Sequence, residues 1–468
     1  MEAARLAIRV GPDGHRFVHA DGAPFFYLAD TAWVLFARLG DDEIEGYFAD
    51  RAAKGFTAIQ ACVFRDLFEP NTPDVHGTRP FASDADMRAV RMNPAWIERV
   101  VRIVRMAARH GLVMTLLPTW GDKWNSHSNS AGPVIMDEAS GRDYCRFLSD
   151  ALAPCPNVLW VLGGDSPVRE RSHARIVRAM AEGLRAGGSG DRMITFYPTG
   201  LGSSEIFHAE DWLDFNALQT SHFKPNVPGY LYIERLYRTT PPKPAVDMEP
   251  NYEAARMFVF GAEQGERLEH KSAGRPYLPQ FGAYDVRKSY YRTVLAGAAG
   301  FTYGHDSIRQ VLREGDRPHA WDEGGLPTWR EALGAPGSSQ LALLKDLVLR
   351  LGHDRLEPAQ EALIPFRQEG AWPDRMAVGL DFAGQTNLDP AVHVRVARDR
   401  ERRWMLAYAP VRTLLQLDTA ALRGDRLAVT IIDPETGAAQ RTFAAARADR
   451  LMLVPDRDLD SLVVIEAG

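Results

Sequence analysis

Short, solid runs of apolar and aromatic residues, each ending in polar side chains, alternate along the chain with stretches whose apolar positions recur at helical spacing. The runs are APFFYLADTAW (23–33), FTAIQACVF (56–64), LVMTLLPTW (112–120), NVLWVLGGD (157–165), MITFYPTG (193–200), DFNALQTSH (214–222), KPAVDMEPNYE (243–253) and FTYGHDS (301–307). Between them, residues 41–55, 93–111, 140–155, about 167–186 and 289–300 read as helices. Parallel strands buried on both faces give such unbroken runs, so eight strand-plus-helix units predict an α/β fold, a (β/α)8 TIM barrel, over residues 1–356. A doubly wound sheet is the competing arrangement. No glycine-rich phosphate fingerprint follows the first run, however, and GAPGSS (334–339) reads as a loop.

After Leu356 the texture changes. RMAVGLDF, AVHVRVARD, RWMLAYAP, LAVTIIDP and SLVVIEA are short, alternating and separated by turn signals such as DPETG. This predicts a C-terminal antiparallel β-sandwich over residues 357–468. Trp404 lies inside one of its apolar strands and Trp372 is its other tryptophan, so the sandwich is expected to support the barrel rather than bind polymer.

Composition narrows the function. With 45% hydrophobic residues among 468, the chain can bury a large core. Its net charge of −6 comes from interspersed acids and bases, which leaves no basic face for nucleic acid and no polybasic patch for a membrane. Cys62, Cys145 and Cys155 are odd in number and lack zinc-type spacing, so free thiols are expected rather than a disulfide framework or a catalytic cysteine. The first residues show no signal segment and no long apolar run follows. The expected setting is cytoplasmic as the chain stands, or periplasmic or secreted if a leader was removed.

In such a barrel the chemistry gathers where strands end. The run ends supply Asp30, Trp33, Gln60, Trp120, Trp124 (in the loop beyond), Asp165, Tyr197, Gln219, His222, Asp247, Glu249, Tyr303 and His305. Carboxylates, amides and aromatic faces suit a sugar, and hydrolysing an acetal needs two carboxyls across the scissile bond. Gly163 and Gly164 let the fourth strand end abruptly and a ligand approach its backbone, leaving Asp165 to project into the cleft. Asp165 could instead cap the next helix, although Ser166 before Pro167 would serve as well. Glu249 is the expected partner, with a structural ion pair as its alternative. Asp247, two residues earlier on the same predicted inward face, suits a hydrogen-bonding support. Asp30 could bind hydroxyls or cap a helix, and the three tryptophans could be core or sugar platform. Metal ligation by His222 or His305 lacks any supporting motif. No metal and no cofactor are expected, and a carbohydrate is the expected partner.

DGAPFFYLADTAWVLFARL, RAAKGFTAIQACVF, NVLWVLGGDSP, FNALQTSH, KPAVDMEPNYE and GFTYGHDSI together resemble the apiosidase-like glycoside hydrolases of family 140. The similarity spans the barrel, and the tail resembles the sandwich that follows it there. The resemblance implies removal of a terminal sugar, apiose from a pectic glycan in the characterised case, by the carboxylates matching Asp165 and Glu249. This chain departs from the family pattern at Ala29 and Met248, where glycines are usual, and at Arg309, where a tryptophan is usual. The reading is a retaining exo-glycosidase on a plant-derived glycan or glycoside. Asp165 is its acid/base, Glu249 its nucleophile, and the carboxyls are expected about 5–5.5 Å apart. The acid's pKa should be raised by the charge of Glu249. A non-catalytic carbohydrate-binding protein and a metal-dependent hydrolase are the alternatives.

Overall fold

A computed structural model describes residues 5–65, 71–127, 132–220, 224–257, 280–318, 325–364 and 390–468. Eight parallel strands build the barrel: β1 (Tyr27–Thr31), β2 (Ala58–Cys62), β3 (Val113–Leu117), β4 (Val158–Gly163), β5 (Ile194–Tyr197), β6 (Asn216–Gln219), β7 (Ala245–Asp247) and β8 (Gly300–Tyr303). They pair in the order β5-β4-β3-β2-β1-β8-β7-β6. Between β5 and β6 the ring is closed by Asp214 N donating to Ile194 O (2.9 Å) and by the Thr195 hydroxyl donating to Phe215 O (2.6 Å). A small sheet of Ile8–Val10, Phe17–His19 and Pro24–Phe25 sets Phe17 edge-on against Phe215, 5.2 Å between centroids, and plugs the end where the strands begin. The opposite end carries the chemistry.

The outer layer contains α1 (Asp41–Ala53), α2 (Pro94–Arg109), α3 (Glu138–Ala151), α4 (Arg171–Ala186), α5 (Gly229–Tyr237) and α6 (Ala283–Leu295). Helix α2 shows why these segments form. Asn93 caps it by accepting from Ala95 N at 3.1 Å, Pro94 opens it, and Trp96, Val100, Ile103, Val104 and Ala107 make its buried stripe. Helix α6 starts well before the expected 289–300. The Asp285 carboxylate reaches back to Gly282 N (3.1 Å) to start it, and Gly297, at φ +104°, follows its end.

The C-terminal region folds as β9 (Leu356–Pro358), β10 (Arg395–Asp399), β11 (Trp404–Ala409), β12 (Leu415–Leu417), β13 (Arg426–Ile432), β14 (Ala439–Ala446), β15 (Leu451–Leu453) and β16 (Ser461–Ala467). Six form an antiparallel sheet, β9-β10-β11-β16-β13-β14, and β12 pairs with β15 in a ribbon. Strand β11 is buried on both faces. Met405 and Ala407 join the sandwich core with Leu415, Leu417 and Leu453 of the ribbon, whereas Trp404, Leu406 and Tyr408 join the barrel core. Trp404 donates its indole N–H to Leu351 O at 2.9 Å. It is a seam residue, not a sugar platform. Trp372 lies outside the described residues.

Candidate active site

Strand β4 ends in three successive left-handed residues: Gly163 (φ +102°), Gly164 (φ +92°) and Asp165 (φ +53°). The glycines are required by neighbouring strand ends rather than by a ligand. A Cβ on Gly163 would sit 2.2 Å from Tyr197 O, and one on Gly164 would sit 2.6 Å from Gly121 N. The loop after β3 grips this turn, with Gly121 N donating to Gly164 O (3.0 Å) and Trp124 Nε1 to Gly163 O (3.0 Å). Helix α4 begins only at Arg171, with Glu170 before it, so neither Asp165 nor Ser166 is its cap. The Asp165 side chain is left for other work.

Its carboxylate lies beside the Gln219 amide, the Thr199 hydroxyl and Gly200 N, all of which favour its charged form. Two residues past the end of β7, Glu249 Oε2 accepts from the Tyr197 hydroxyl and from Gln219 Nε2 at 2.5 Å. The Gln219 amide therefore stands beside both carboxylates. Burial pushes the pKa of each upward, and the Asp165 charge pushes Glu249 further. At Asp165 burial is the leading cause of the rise, not the Glu249 charge that the sequence suggested. The guanidinium groups of Arg309 and Arg65 oppose the rise at Glu249, and Arg65 opposes it at Asp165.

An aromatic wall stands beside the pair. Trp33 meets Trp120 edge-on at 5.1 Å and Tyr197 at 5.4 Å, and the Arg65 guanidinium lies 3.6 Å from the centre of the Trp120 ring. Tyr252 is buried behind this wall, beside Thr31 and Trp33.

Asp165, Glu249, Tyr197, Gln219, Trp33 and Trp120 thus come together as the sequence predicts. Others do not join them. Asp30 faces outward to α1, away from the carboxylate pair, where it accepts from the Tyr47 hydroxyl (2.8 Å) and pairs with Arg51 (3.4 Å), and it caps no helix. Tyr303 also turns outward, donating to Glu253 at 2.6 Å. His305 accepts from Ser307 N (3.1 Å), capping Asp306–Arg309, and burial lowers its pKa to about 4. Gln60 lies inside the barrel below the mouth, donating to Thr31 Oγ1 and Met248 O, each at 3.1 Å. Trp124 supports the β4 turn. Asp247 does not share a face with Glu249, because β7 ends at Asp247. Its Oδ2 takes the Thr220 hydroxyl at 2.9 Å beside Gly229 of α5, and burial raises its carboxyl to about 7. His222 lies outside the described residues. Arg65 and Thr199 were missed. Both stand two or three residues beyond a strand end, where an inventory of strand tips stops short. Arg309 was visible only as a departure from a family pattern.

A family model described as "Apiosidase-like, catalytic domain" matches residues 12–353. The chain belongs to that family. It is a glycoside hydrolase, and the carboxylate pair lies within the matched region. Among solved structures, it is similar to a family 5 glycoside hydrolase from Bacteroides vulgatus, at 22% identity and a TM-score of 0.81 over 99% of this chain and 93% of that one. A second glycoside hydrolase gives 23% identity and a TM-score of 0.80 over 99% and 97%. Both likenesses extend through the C-terminal sheet. Among curated proteins no relative matches. No helix among the described residues is long and apolar enough to cross a membrane, and the three cysteines are buried and free.

Proposed function

We propose that the apiosidase-like barrel is a retaining exo-glycosidase that removes a terminal sugar, apiose or a relative of it, from a plant-derived glycan or glycoside. The observation that carries this reading is the pairing of Asp165 and Glu249 at the barrel mouth: Gln219 bonds to Glu249 and lies beside Asp165, and the Asp165 charge acts on Glu249. Such closeness favours the retaining separation of about 5–5.5 Å over the inverting one of about 6.5–9.5 Å. The near-complete enclosure of Glu249, 5% exposed, suits a single terminal residue better than a threaded chain.

In this mechanism Glu249 attacks the anomeric carbon while protonated Asp165 gives its proton to the departing oxygen. The Tyr197 and Gln219 donors on Glu249 Oε2, with the nearby Arg309 charge, favour the ionised nucleophile. Burial raises both carboxyls and the Asp165 charge raises Glu249 further, so the free site favours one proton shared by the pair; the mechanism requires that proton on Asp165 when Glu249 attacks. Asp165 then takes a proton from water as that water opens the glycosyl–Glu249 ester. Ala29, Met248 and Arg309 are the positions where a sugar preference different from apiose would arise.

Aryl glycosides and pectic oligosaccharides should be screened for release of one monosaccharide, with the first-formed anomer read by NMR. Retention is expected. In Asp165→Ala, turnover of substrates with poor leaving groups should fall by about 10²–10⁴-fold. Azide should partly restore it, yielding a glycosyl azide of retained configuration. An inverted product, or near-normal Asp165→Ala activity on natural glycans, would overturn the assignment.

A further inference from the structure

Beside the β4 turn, three potential ligands converge from the loop after β3 and from the start of α4. His127 follows β3, while Glu170 and His173 stand at the start of α4. One ligand atom from each lies within 4.8 Å of the others. His127 Nε2 is 3.8 Å from Glu170 Oε1, and the two imidazole rings are 5.3 Å apart at 64°. We propose that His127, Glu170 and His173 bind a single zinc-class divalent transition-metal ion, which fastens the loop after β3 to the start of α4 beside the turn that carries Asp165.

Two imidazoles and a carboxylate are a donor set that such ions take readily, with a water completing four-coordination. Zinc–nitrogen bonds of about 2.0–2.1 Å require the three groups to close by roughly an ångström. His127 and Glu170 have the freedom to do so, with side chains 37% and 55% exposed. His173 is the fixed member. It is buried, its Nδ1 accepts from Arg169 N at 3.4 Å, and Trp124 packs edge-on to it at 6.0 Å. Without an ion, an exposed His127–Glu170 pair contributes little.

The position gives the ion a purpose outside bond cleavage. Asn125 Nδ2 donates to Pro167 O at 2.7 Å, and Asn125 Oδ1 accepts from His127 N at 2.8 Å, so the loops are already stitched at this level. A metal here would add the clamp nearest the solvent. The inference is independent of which sugar is cleaved.

The test uses the full chain without an affinity tag, stripped with chelator and titrated with Zn²⁺ by calorimetry and by metal analysis after dialysis. One equivalent should bind at micromolar affinity or tighter and raise the melting temperature, whereas Mg²⁺ and Ca²⁺ should do neither. His127→Ala, at an exposed position, should weaken zinc binding about 100-fold and abolish the thermal shift. His173→Ala should do the same, with its fold checked by circular dichroism. Zinc binding or a thermal shift no different between wild type and His127→Ala would overturn the proposal.

Discussion

Asp460 at the seam and Glu249 at the mouth are both carboxylates taken out of water, and the fold surrounds them differently. Asp460 meets Arg287 through two hydrogen bonds of 2.6 and 2.8 Å and accepts the Tyr408 hydroxyl at 3.0 Å. Burial opposes the charge on Arg287, yet the Asp460 carboxylate outweighs it and holds the guanidinium above its ordinary value. Tyr291 stacks on Tyr408 at 4.8 Å beside this pair. At the mouth, Glu249 instead accepts a phenol and an amide that also stands beside a second carboxyl, and both acids are pushed toward their protonated forms. A buried acid matched to its own guanidinium serves as a fastener. Two buried acids facing each other can pass a proton, which is what acetal hydrolysis needs.

The largest effect that sharpens this contrast is at Glu249. Glu249→Gln should lower kcat/KM by about 10⁴-fold or more. Its melting temperature should hold or rise, because a like-charge interaction is removed. Kinetics on the released-sugar assay and scanning calorimetry decide it, and a collapse of stability would place Glu249 with the fasteners. At the seam the pattern reverses. Asp460→Ala leaves Arg287 buried without its partner and should cost about 3–5 kcal/mol in denaturant unfolding, with kcat per folded molecule unchanged.

The smallest effect concerns pH. Asp247 has a folded pKa of about 7 against an ordinary value of 3.8. The folded state therefore binds the extra proton between those values, and stability is lost as pH rises through that window. Asp247→Asn, which resembles the protonated acid, should match wild type near pH 4. Near pH 8 it should be more stable by no more than ~4 kcal/mol. Parallel unfolding curves for the two proteins would show that the carboxyl does not titrate in this range.

The sequence made the barrel, the sheet after it and the central pair legible for one reason: strand tips in this architecture point at the chemistry. It could not show which alternate residues face inward. Tyr27–Thr31 is buried throughout, so hydrophobicity does not distinguish the faces, and a shift of one residue sends Asp30 to α1 instead of the mouth. Tyr303 failed in the same way. Asp247 failed because alternation was carried past the end of β7. Gly163 and Gly164 were rightly singled out as letting the strand end abruptly, but the contacts that demand them come from Tyr197 and Gly121, distant in sequence. The seam ion pair was invisible for a similar reason, its members being 173 positions apart.

The left-handed backbone at Asp165 bears on how this site can evolve. Among residues with a Cβ, aspartate and asparagine enter that conformation most readily, and glycine enters it freely. Drift at this codon therefore favours aspartate, asparagine or glycine, and only the first retains an acid. An exchange for glutamate, conservative on paper, would ask a longer side chain to hold an unfavourable backbone while moving its carboxyl off the Gln219 amide. Lineages that lose the activity should keep the turn and change the acid to asparagine or glycine, leaving the barrel's shape as a record of the enzyme it had been.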